Sequence, residues 1–215
     1  MKLSIIEGSA AALPIANLDT DQIMPKQFLR GIDKAGLAQG LLYDLRFDAQ
    51  GQPRNGFVLN LPAFAGVDIL IAGPNYGCGS SREHAVWGMQ QFGFHAVVAA
   101  SFGEIFYSNA VNNRLLPVMV SEDHALALLD EAAAHEQPLP LRIDLEALTV
   151  ASPKRIARFA LSPRHQRMLI DGLDMIGASL QHQAEIDAFA RTHWATQPWL
   201  KDVAARMHAC ATTRG

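Results

Sequence analysis

A glycine-rich segment from Gly73 to His84, GPNYGCGSSREH, brings together residue types that can bind and act on a small anion. An apolar run precedes it and a helical pattern follows it. Free backbone N–H groups therefore converge where the helix begins, and the helix dipole adds partial positive charge there. Gly77 and Gly79 let the backbone come close to a ligand, and the planar guanidinium of Arg82 suits a carboxylate. The segment predicts a small-anion site.

Two better-known patterns are absent from this segment. No Lys stands before a Ser or Thr at the start of the helix, which disfavours a phosphate-binding loop, and the hydrolase pattern G-x-S-x-G is missing. Ser80 has two interpretations. With Glu83 it has the spacing of a helix capping box, worth about 1 kcal/mol, whereas N–H groups directed at its Oγ would also stabilise a deprotonated serine that acts as a base. The structural alternatives are a salt bridge for Arg82, a core or capping role for His84 and a tight turn for Cys78.

The elements around this segment alternate between apolar strands and helices. Strands are predicted at 67–73, 95–101 and 115–120, and helices at 81–92, 103–113 and 121–135. Ser121 is expected to cap the last of these helices. The alternation predicts an α/β fold with a parallel sheet built from right-handed βαβ units.

The flanking regions are less regular. A short strand is predicted at 3–6, a polar turn at 16–25, a helix at 33–47 and a loop at 48–56. Short polar strands from 141 to 159 indicate an antiparallel hairpin or a second sheet, and helices are expected at 162–172 and 178–194. We treat residues 1–205 as one domain and expect the small polar tail, 206–215, to be disordered.

The composition excludes several classes of protein. Of the 215 residues 49% are hydrophobic and the formal charge is −3, so neither a disordered chain nor a strongly basic nucleic-acid binder is expected. Only 18% of the residues are charged, below the about 25% of an ordinary soluble domain, which favours a surface partly covered by another subunit. The apolar stretches are too short or too polar for a signal peptide or a membrane span, so we expect a cytoplasmic protein.

The two cysteines, Cys78 and Cys210, cannot supply the roughly three or four thiolates that an iron–sulfur cluster needs. One possible pair also makes no disulfide framework. The eight histidines lack the spacings of common zinc sites. We therefore predict no metal site on this chain, and any cluster would be ligated mainly by another chain.

Three stretches in sequence order resemble the small subunits of 3-isopropylmalate dehydratase, the isopropylmalate isomerase of leucine biosynthesis and a relative of aconitase. They are ANLDTDQIMPKQFL at 16–29, the stretch from GPNYGCGSSREH to RLLPV at 73–118, and GLDMIGASLQH at 172–182. The resemblance implies an aconitase-like swivelling β/β/α domain that docks on a separate large subunit, which holds a [4Fe-4S] cluster. Tyr76, where Phe is common, and Val86, where Pro is common, depart from the family pattern without affecting the chemistry.

The resemblance also implies roles for individual residues. Matched by position, Ser80 is the base that removes a proton from the substrate, while Ser81 and Arg82 hold its carboxylates. Thr20 and Asp21 would orient these groups, although an Asx-type turn is the structural alternative there. The residues expected to support the site are Gly77, Cys78, Gly79, Glu83 and His84.

The segment PKQFLR at 25–30 corresponds to the region where related enzymes recognise the variable side chain of the substrate. Leu29 is expected to touch an isopropyl group, and either Lys26 or Arg30 is expected to meet a carboxylate.

The implied reaction removes water from 2-isopropylmalate, a small dicarboxylate, and adds it back at the neighbouring carbon through 2-isopropylmaleate. The partner's iron would act as a Lewis acid on the departing hydroxyl. Because the serine and the cluster would then lie on different chains, we expect no activity from this chain alone. The alternatives are a related hydro-lyase acting on 2-methylmalate or dimethylmalate, and a non-catalytic anion-binding accessory subunit in which Ser80 is only a helix cap.

Overall fold

The computed structural model describes residues 4–29 and 34–212 of the chain. The chain divides into two units, Met1–Asp174 and Met175–Gly215, where the sequence was treated as one domain over 1–205. The first unit contains the sheet and the glycine-rich segment, and the second is helical.

The first unit is built on one seven-stranded sheet with the order β4-β3-β2-β1-β5-β6-β7. Its strands are β1 Ile5–Leu13, β2 Ile69–Ala72, β3 Ala96–Ala99, β4 Leu116–Met119, β5 Leu139–Asp144, β6 Thr149–Ala151 and β7 Ile156–Arg158. Strands β1 to β4 pair in parallel, whereas β5 to β7 are antiparallel to their neighbours. An isolated bridge joins Met119 to Ala160, so the sheet curls until its two edges meet. The predicted α/β class, parallel βαβ units and antiparallel hairpin are thereby confirmed.

Helices connect the parallel strands. The helices of the first unit are α1 Thr20–Ile23, α2 Leu37–Gly40, α3 Tyr43–Arg46, α4 His84–Phe92, α5 Glu104–Asn112, α6 Glu122–Ala133 and α7 Pro163–Asp171. Short 3-10 helices lie at Lys26–Phe28, Val58–Asn60 and Pro62–Phe64. Ser121 caps α6 as predicted, since its Oγ accepts the backbone N–H of His124 at 3.4 Å.

Alternate residues of the parallel strands bury against two different cores, which follows from the two-residue period of a strand. Leu70 and Val97 join a cluster that also holds side chains of α2, α4 and α5. Ile71 and Val98 join a second cluster with α6 and the antiparallel strands. Burial on both faces explains why these strands are continuous apolar runs in the sequence.

Three expectations for the region before β2 need correction. The helix expected at 33–47 is two short helices, α2 and α3, and residue 33 lies outside the described residues. Leu42 separates them in a left-handed conformation, φ +53°, where its N–H donates to Ile23 O at 2.8 Å. The strand expected at 3–6 continues to Leu13, and the polar turn at 16–25 contains α1.

The second unit consists of α8 Met175–Leu180, α9 Gln183–Thr196, a 3-10 helix Pro198–Leu200 and α10 Val203–Thr212. The helix expected at 178–194 is therefore divided between α8 and α9. Residues 206–212, which we expected to be disordered, belong to α10. Within the described parts of the chain, no helix has the length and apolar character needed to cross a bilayer.

Candidate active site

The site is built where three parallel strands end. The segment after β2 lies between the segments after β1 and β3, because Cys78 forms a bridge with Asp19 and Tyr76 forms one with Phe102. The N–H of Thr20 donates to Cys78 O at 3.0 Å. Ligands of open α/β sheets bind at this edge, so the sheet itself brings the two motifs, 16–25 and 73–84, together.

Gly77 is required by packing. Its φ is +72°, and a Cβ at this position would overlap the ring of Phe106 in α5. Gly79 also has a positive φ, +89°, but a Cβ there would make ordinary contacts, with Asp19 Cβ at 3.4 Å and Thr20 Oγ1 at 4.0 Å. The sequence predicted that both glycines admit a ligand; the buried Gly77 makes room for an aromatic ring of the same chain instead.

Ser80 is exposed and its hydroxyl faces α1. Its Oγ lies 2.9 Å from Thr20 Oγ1 and donates to Asp21 Oδ1 at 3.4 Å. The buried Thr20 hydroxyl donates to Ser80 O at 3.1 Å. With the single hydroxyl proton of Thr20 committed to that carbonyl, the Ser80 proton is directed at Thr20 Oγ1 or at the Asp21 carboxylate.

Arg82 forms an ion pair with the same carboxylate, Asp21. The Arg82 side chain is 19% exposed and that of Asp21 is 45% exposed, so the pair lies at the surface with its guanidinium partly shielded from water. The ion pair is made by the Nη1 atom of Arg82, which is itself buried, and Asp21 Oδ1. A guanidinium has five N–H donors, so one such contact does not use all of them.

The capping-box interpretation of Ser80 is wrong. Helix α4 begins at His84, its N-cap is Glu83, and none of the side chains that the structure describes caps it. Glu83 Oε1 instead accepts a hydrogen bond of 2.6 Å from Asn113 Nδ2, from the end of α5. Ser80 lies outside the helix, on an exposed loop at its start, and is free of a capping role.

Comparison with known proteins identifies the family. Residues 1–123 match the aconitase C-terminal domain, and residues 175–203 match the C-terminal domain of the 3-isopropylmalate dehydratase small subunit. A 3-isopropylmalate dehydratase small subunit of Chromobacterium violaceum is 60% identical over 200 residues, covering 93% of this chain and 94% of that protein. One of Phenylobacterium zucineum is 47% identical over 197 residues, covering 91% and 96%.

The chain belongs to the family of 3-isopropylmalate dehydratase small subunits. A solved relative, a 3-isopropylmalate dehydratase of Methanocaldococcus jannaschii, supports the fold at 26% identity with a TM-score of 0.60. It covers 86% of this chain and 98% of its own. The resemblance inferred from the three sequence stretches is thereby confirmed.

The candidate residues Ser81, His84 and Cys78 differ in their exposure and in their contacts. Ser81 is exposed beside Ser80, and the His84 ring lies 4.7 Å from the ring of Trp87. Cys78 holds the turn, since its thiol donates to Asn17 O at 3.4 Å. These contacts favour structural roles for Cys78 and His84.

The segment proposed for side-chain recognition begins with the 3-10 helix Lys26–Phe28. Lys26 is exposed, and Leu29 is half-buried against the core cluster that contains α4. In the parts of the chain that the structure describes, neither forms a hydrogen bond or ion pair with Ser80 or Arg82. Arg30 lies outside the described residues.

The donor set of the chain does not fit an iron–sulfur cluster. The sequence contains only two cysteines, and the thiol of Cys78 is engaged in the turn. Among residues 4–29 and 34–212, no group of three or more His, Cys, Asp or Glu side chains is arranged to hold a metal ion. Cluster chemistry therefore requires ligands from outside this chain.

Asn113 is the residue of the site that the sequence did not reveal. It is the last residue of the helix predicted at 103–113 and follows directly after α5, and nothing in the local pattern connects it with Glu83. The available signal was weak: an amide side chain at the end of a helix that precedes a buried strand.

Proposed function

We propose that this chain is the small subunit of 3-isopropylmalate dehydratase, which works in leucine biosynthesis as a cytoplasmic complex with a large subunit. The complex interconverts 2-isopropylmalate and 3-isopropylmalate by dehydration and rehydration through 2-isopropylmaleate. The observation that carries the proposal is the cluster of Ser80, Asp21 and Arg82 at the carboxyl edge of the sheet, within the motifs that identify the family.

Arg82 and Ser81 bind a carboxylate of the substrate. The guanidinium offers parallel N–H donors that match a carboxylate, and its partial burial strengthens the attraction. Asp21 holds the guanidinium at the edge of the loop before the substrate arrives. The substrate carboxylate then shares Arg82 with Asp21.

Ser80 removes the proton from the substrate carbon next to the one that loses its hydroxyl group. A serine hydroxyl is a poor base, so its own proton must first leave, and Asp21 Oδ1 at 3.4 Å is an acceptor within reach. The hydroxyl group of Thr20 holds Ser80 in place through hydrogen bonds with the backbone carbonyl and the hydroxyl group of Ser80. In rehydration, Ser80 returns a proton to the carbon from which hydroxide departed.

The departing hydroxyl group needs a Lewis acid, which a [4Fe-4S] cluster on the large subunit supplies when bound. This chain contributes the base and the groups that bind the substrate carboxylates. The isolated chain lacks the Lewis acid, so we expect it to be inactive.

Recognition of the isopropyl group is assigned to the segment that follows α1. Leu29 offers a half-buried apolar side chain for the isopropyl group, and Lys26 or Arg30 would meet the more distant carboxylate.

The substitution Ser80→Ala tests the proposal. We expect turnover of the reconstituted complex to fall by about 10²- to 10⁴-fold, the contribution of a general base, while the melting temperature of the chain stays close to that of the wild type. Turnover of 2-isopropylmalate and thermal unfolding are measured on the same preparation.

Ser121→Ala is the matched control, because Ser121 is the true helix cap. This variant is expected to lose about 1 kcal/mol of stability and to keep its turnover. Equal turnover in the Ser80→Ala variant and the wild type would contradict the role of Ser80 as base.

A further inference from the structure

The carboxylate of Glu83, which follows Arg82 in sequence, is held by the far end of α5. Glu83 Oε1 accepts a hydrogen bond from Asn113 Nδ2 at 2.6 Å, across 30 positions of sequence. Arg82 pairs with Asp21 in α1. The neighbouring residues 82 and 83 thus have different partners, because the Arg82 guanidinium pairs with a carboxylate and the Glu83 carboxylate binds an amide.

The orientation of the Asn113 amide is fixed by its other partners. Its Oδ1 accepts from Trp87 Nε1 at 3.0 Å, and its Nδ2 also donates to Asn109 O at 2.9 Å. An indole N–H only donates, and a carboxylate and a carbonyl only accept. Turning the amide over would place donor against donor and acceptor against acceptor, so only one orientation satisfies all three contacts.

The backbone of Asn113 is held as well. Gln90 Nε2 in α4 donates to Asn113 O at 2.5 Å, so Trp87 and Gln90 of α4 both bind the same residue. Asn113 therefore joins α4, at Trp87 and Gln90, to the end of α5 through side chain and main chain together.

The loop between these contacts carries the proposed chemistry. Residues 79–82 have no helix or strand pairing, and Ser80 and Ser81 are exposed. The front of the loop is held by Thr20 Oγ1, which donates to Ser80 O at 3.1 Å, and the rear is held at Glu83 by Asn113. A loop with two fixed ends has fewer conformations, and its side chains stay near one geometry.

We propose that Asn113 is a positioning residue for the reaction: by binding Glu83 it fixes the rear of the 79–82 loop and keeps the Glu83 carboxylate away from Arg82. This inference rests on the proposed function, because it assumes that Ser80 and Arg82 act on the substrate. Asn113 itself does not touch the substrate.

The test replaces the amide donor of Asn113 by a carboxylate, which can only accept a hydrogen bond. In Asn113→Asp two carboxylates face each other at residues 83 and 113, so Glu83 is released toward Arg82. We expect kcat/KM of the complex with the large subunit to fall by about 100-fold, with a lower kcat and a raised KM, as for a misplaced catalytic loop. The melting temperature of the chain is measured in parallel.

A second variant restores the contact with its direction reversed. In the double variant Asn113→Asp with Glu83→Gln, the amide at 83 donates to the carboxylate at 113, which still accepts from Trp87. We expect about tenfold of the lost kcat/KM to return, while the lost contact with Asn109 O keeps recovery incomplete. A role in stability alone does not predict such rescue of kcat.

Asn60→Asp is the matched control. Asn60 ends the 3-10 helix Val58–Asn60 outside the site. Its Nδ2 donates to Arg46 O at 2.6 Å and to Arg54 O at 3.1 Å, and its Oδ1 accepts from Arg46 Nε at 3.2 Å. This variant is expected to lower the melting temperature and to leave kcat and KM unchanged.

The proposal is overturned if Asn113→Asp keeps the wild-type kcat/KM, if the double variant regains none of the loss, or if Asn60→Asp loses as much activity as Asn113→Asp. An inactive wild-type complex with 2-isopropylmalate would instead refute the proposed function, so the two failures are distinguishable.

Discussion

At the scale of single residues, Asp21 links the two groups to which we assign the chemistry. It accepts the Ser80 hydroxyl and pairs with the Arg82 guanidinium, so one carboxylate sets the positions of both. Its negative charge also keeps Arg82 from attracting other anions strongly before the substrate is bound. A dicarboxylate can compete because it brings its own charge to donors that Asp21 leaves unused.

Arg82→Lys tests whether the shape of the guanidinium matters in addition to its charge. Lysine keeps the positive charge but loses the planar pair of donors, so we expect kcat/KM to fall by about 10- to 100-fold while the fold is kept. Steady-state kinetics and co-purification with the large subunit measure the two effects.

Arg142→Lys provides the comparison, because Arg142 forms an exposed ion pair with Glu7 on the antiparallel side of the sheet. Its kinetics should match those of the wild type. If the kinetics of Arg82→Lys also matched those of the wild type, the proposal that Arg82 binds a carboxylate through a planar pair of N–H donors would be wrong.

The sequence predicted that Ser80, Asp21 and Arg82 lie near one site, and it left a helix cap open as the alternative role of Ser80. Ser80, Asp21 and Arg82 were assigned by position in the family motifs, and the structure brings all three together. The capping box failed because the local spacing of Ser80 and Glu83 carries no information about Asn113, which binds Glu83 from another helix. Whether Ser80 and Glu83 form a capping box is decided by a contact with a segment that is distant in the sequence.

At the scale of elements, the glycine-rich turn is shaped by α5 as much as by its own sequence. Gly77 and Gly66 both have a positive φ, +72° and +80°, so an alanine at either position carries similar backbone strain. A Cβ at Gly77 would overlap the ring of Phe106, whereas a Cβ at Gly66 would meet no atom of residues 4–29 and 34–212 within 4 Å. Alanine substitutions at Gly66 and Gly77 therefore separate the free-energy cost of backbone strain from that of poor packing.

We predict that Gly66→Ala costs about 1 kcal/mol of unfolding free energy, the usual penalty for a left-handed residue. Gly77→Ala is expected to cost a further 1–3 kcal/mol or so, typical of overpacking, and to lower turnover because the loop shifts with the turn. Urea unfolding midpoints of the two variants measure the difference. Equal midpoints would mean that Phe106 moves aside without cost.

The regular elements were predictable where strand and helix alternate with clear apolar periods. Helices α4, α5 and α6 begin and end within three residues of their predicted bounds, because each buries one side against the sheet. The helix at 33–47 failed because the N–H of Leu42 binds Ile23 O, a contact from the preceding motif that turns the chain. Leucine spacing alone does not contain that information.

At the scale of the whole first unit, a buried ion pair connects α6 with the turn between β6 and β7. Glu131 Oε2 accepts hydrogen bonds of 2.9 Å from Arg155 Nε and from Ser152 Oγ, and the Glu131 side chain is 1% exposed. Because α6 packs on the parallel strands, this contact joins the parallel part of the sheet to its antiparallel part. Breaking it leaves a buried carboxylate without its partners.

The charge of Glu131 makes the stability of this connection depend on pH. Burial alone raises the pKa of Glu131, but the hydrogen bonds from Ser152 and Arg155 and the charge of Arg155 lower it below its ordinary value of 4.5. A carboxyl with a lowered folded pKa binds fewer protons in the native state than in the unfolded state. Its contribution is therefore complete above pH 4.5 and is lost as the pH falls through the lowered pKa.

Glu131→Gln should remove this pH dependence while keeping an acceptor for Ser152 and Arg155. We expect the variant to be less stable than the wild type at pH 7, and the gap to narrow as the pH falls below 4.5. Unfolding free energies measured by urea between neutral and acid pH check the trend. Glu7→Gln is the control: its ion pair with Arg142 is exposed on both sides, so its stability curve should follow the wild type. A constant gap between Glu131→Gln and the wild type across this range would show that the ionised carboxylate does not hold the two parts of the sheet together.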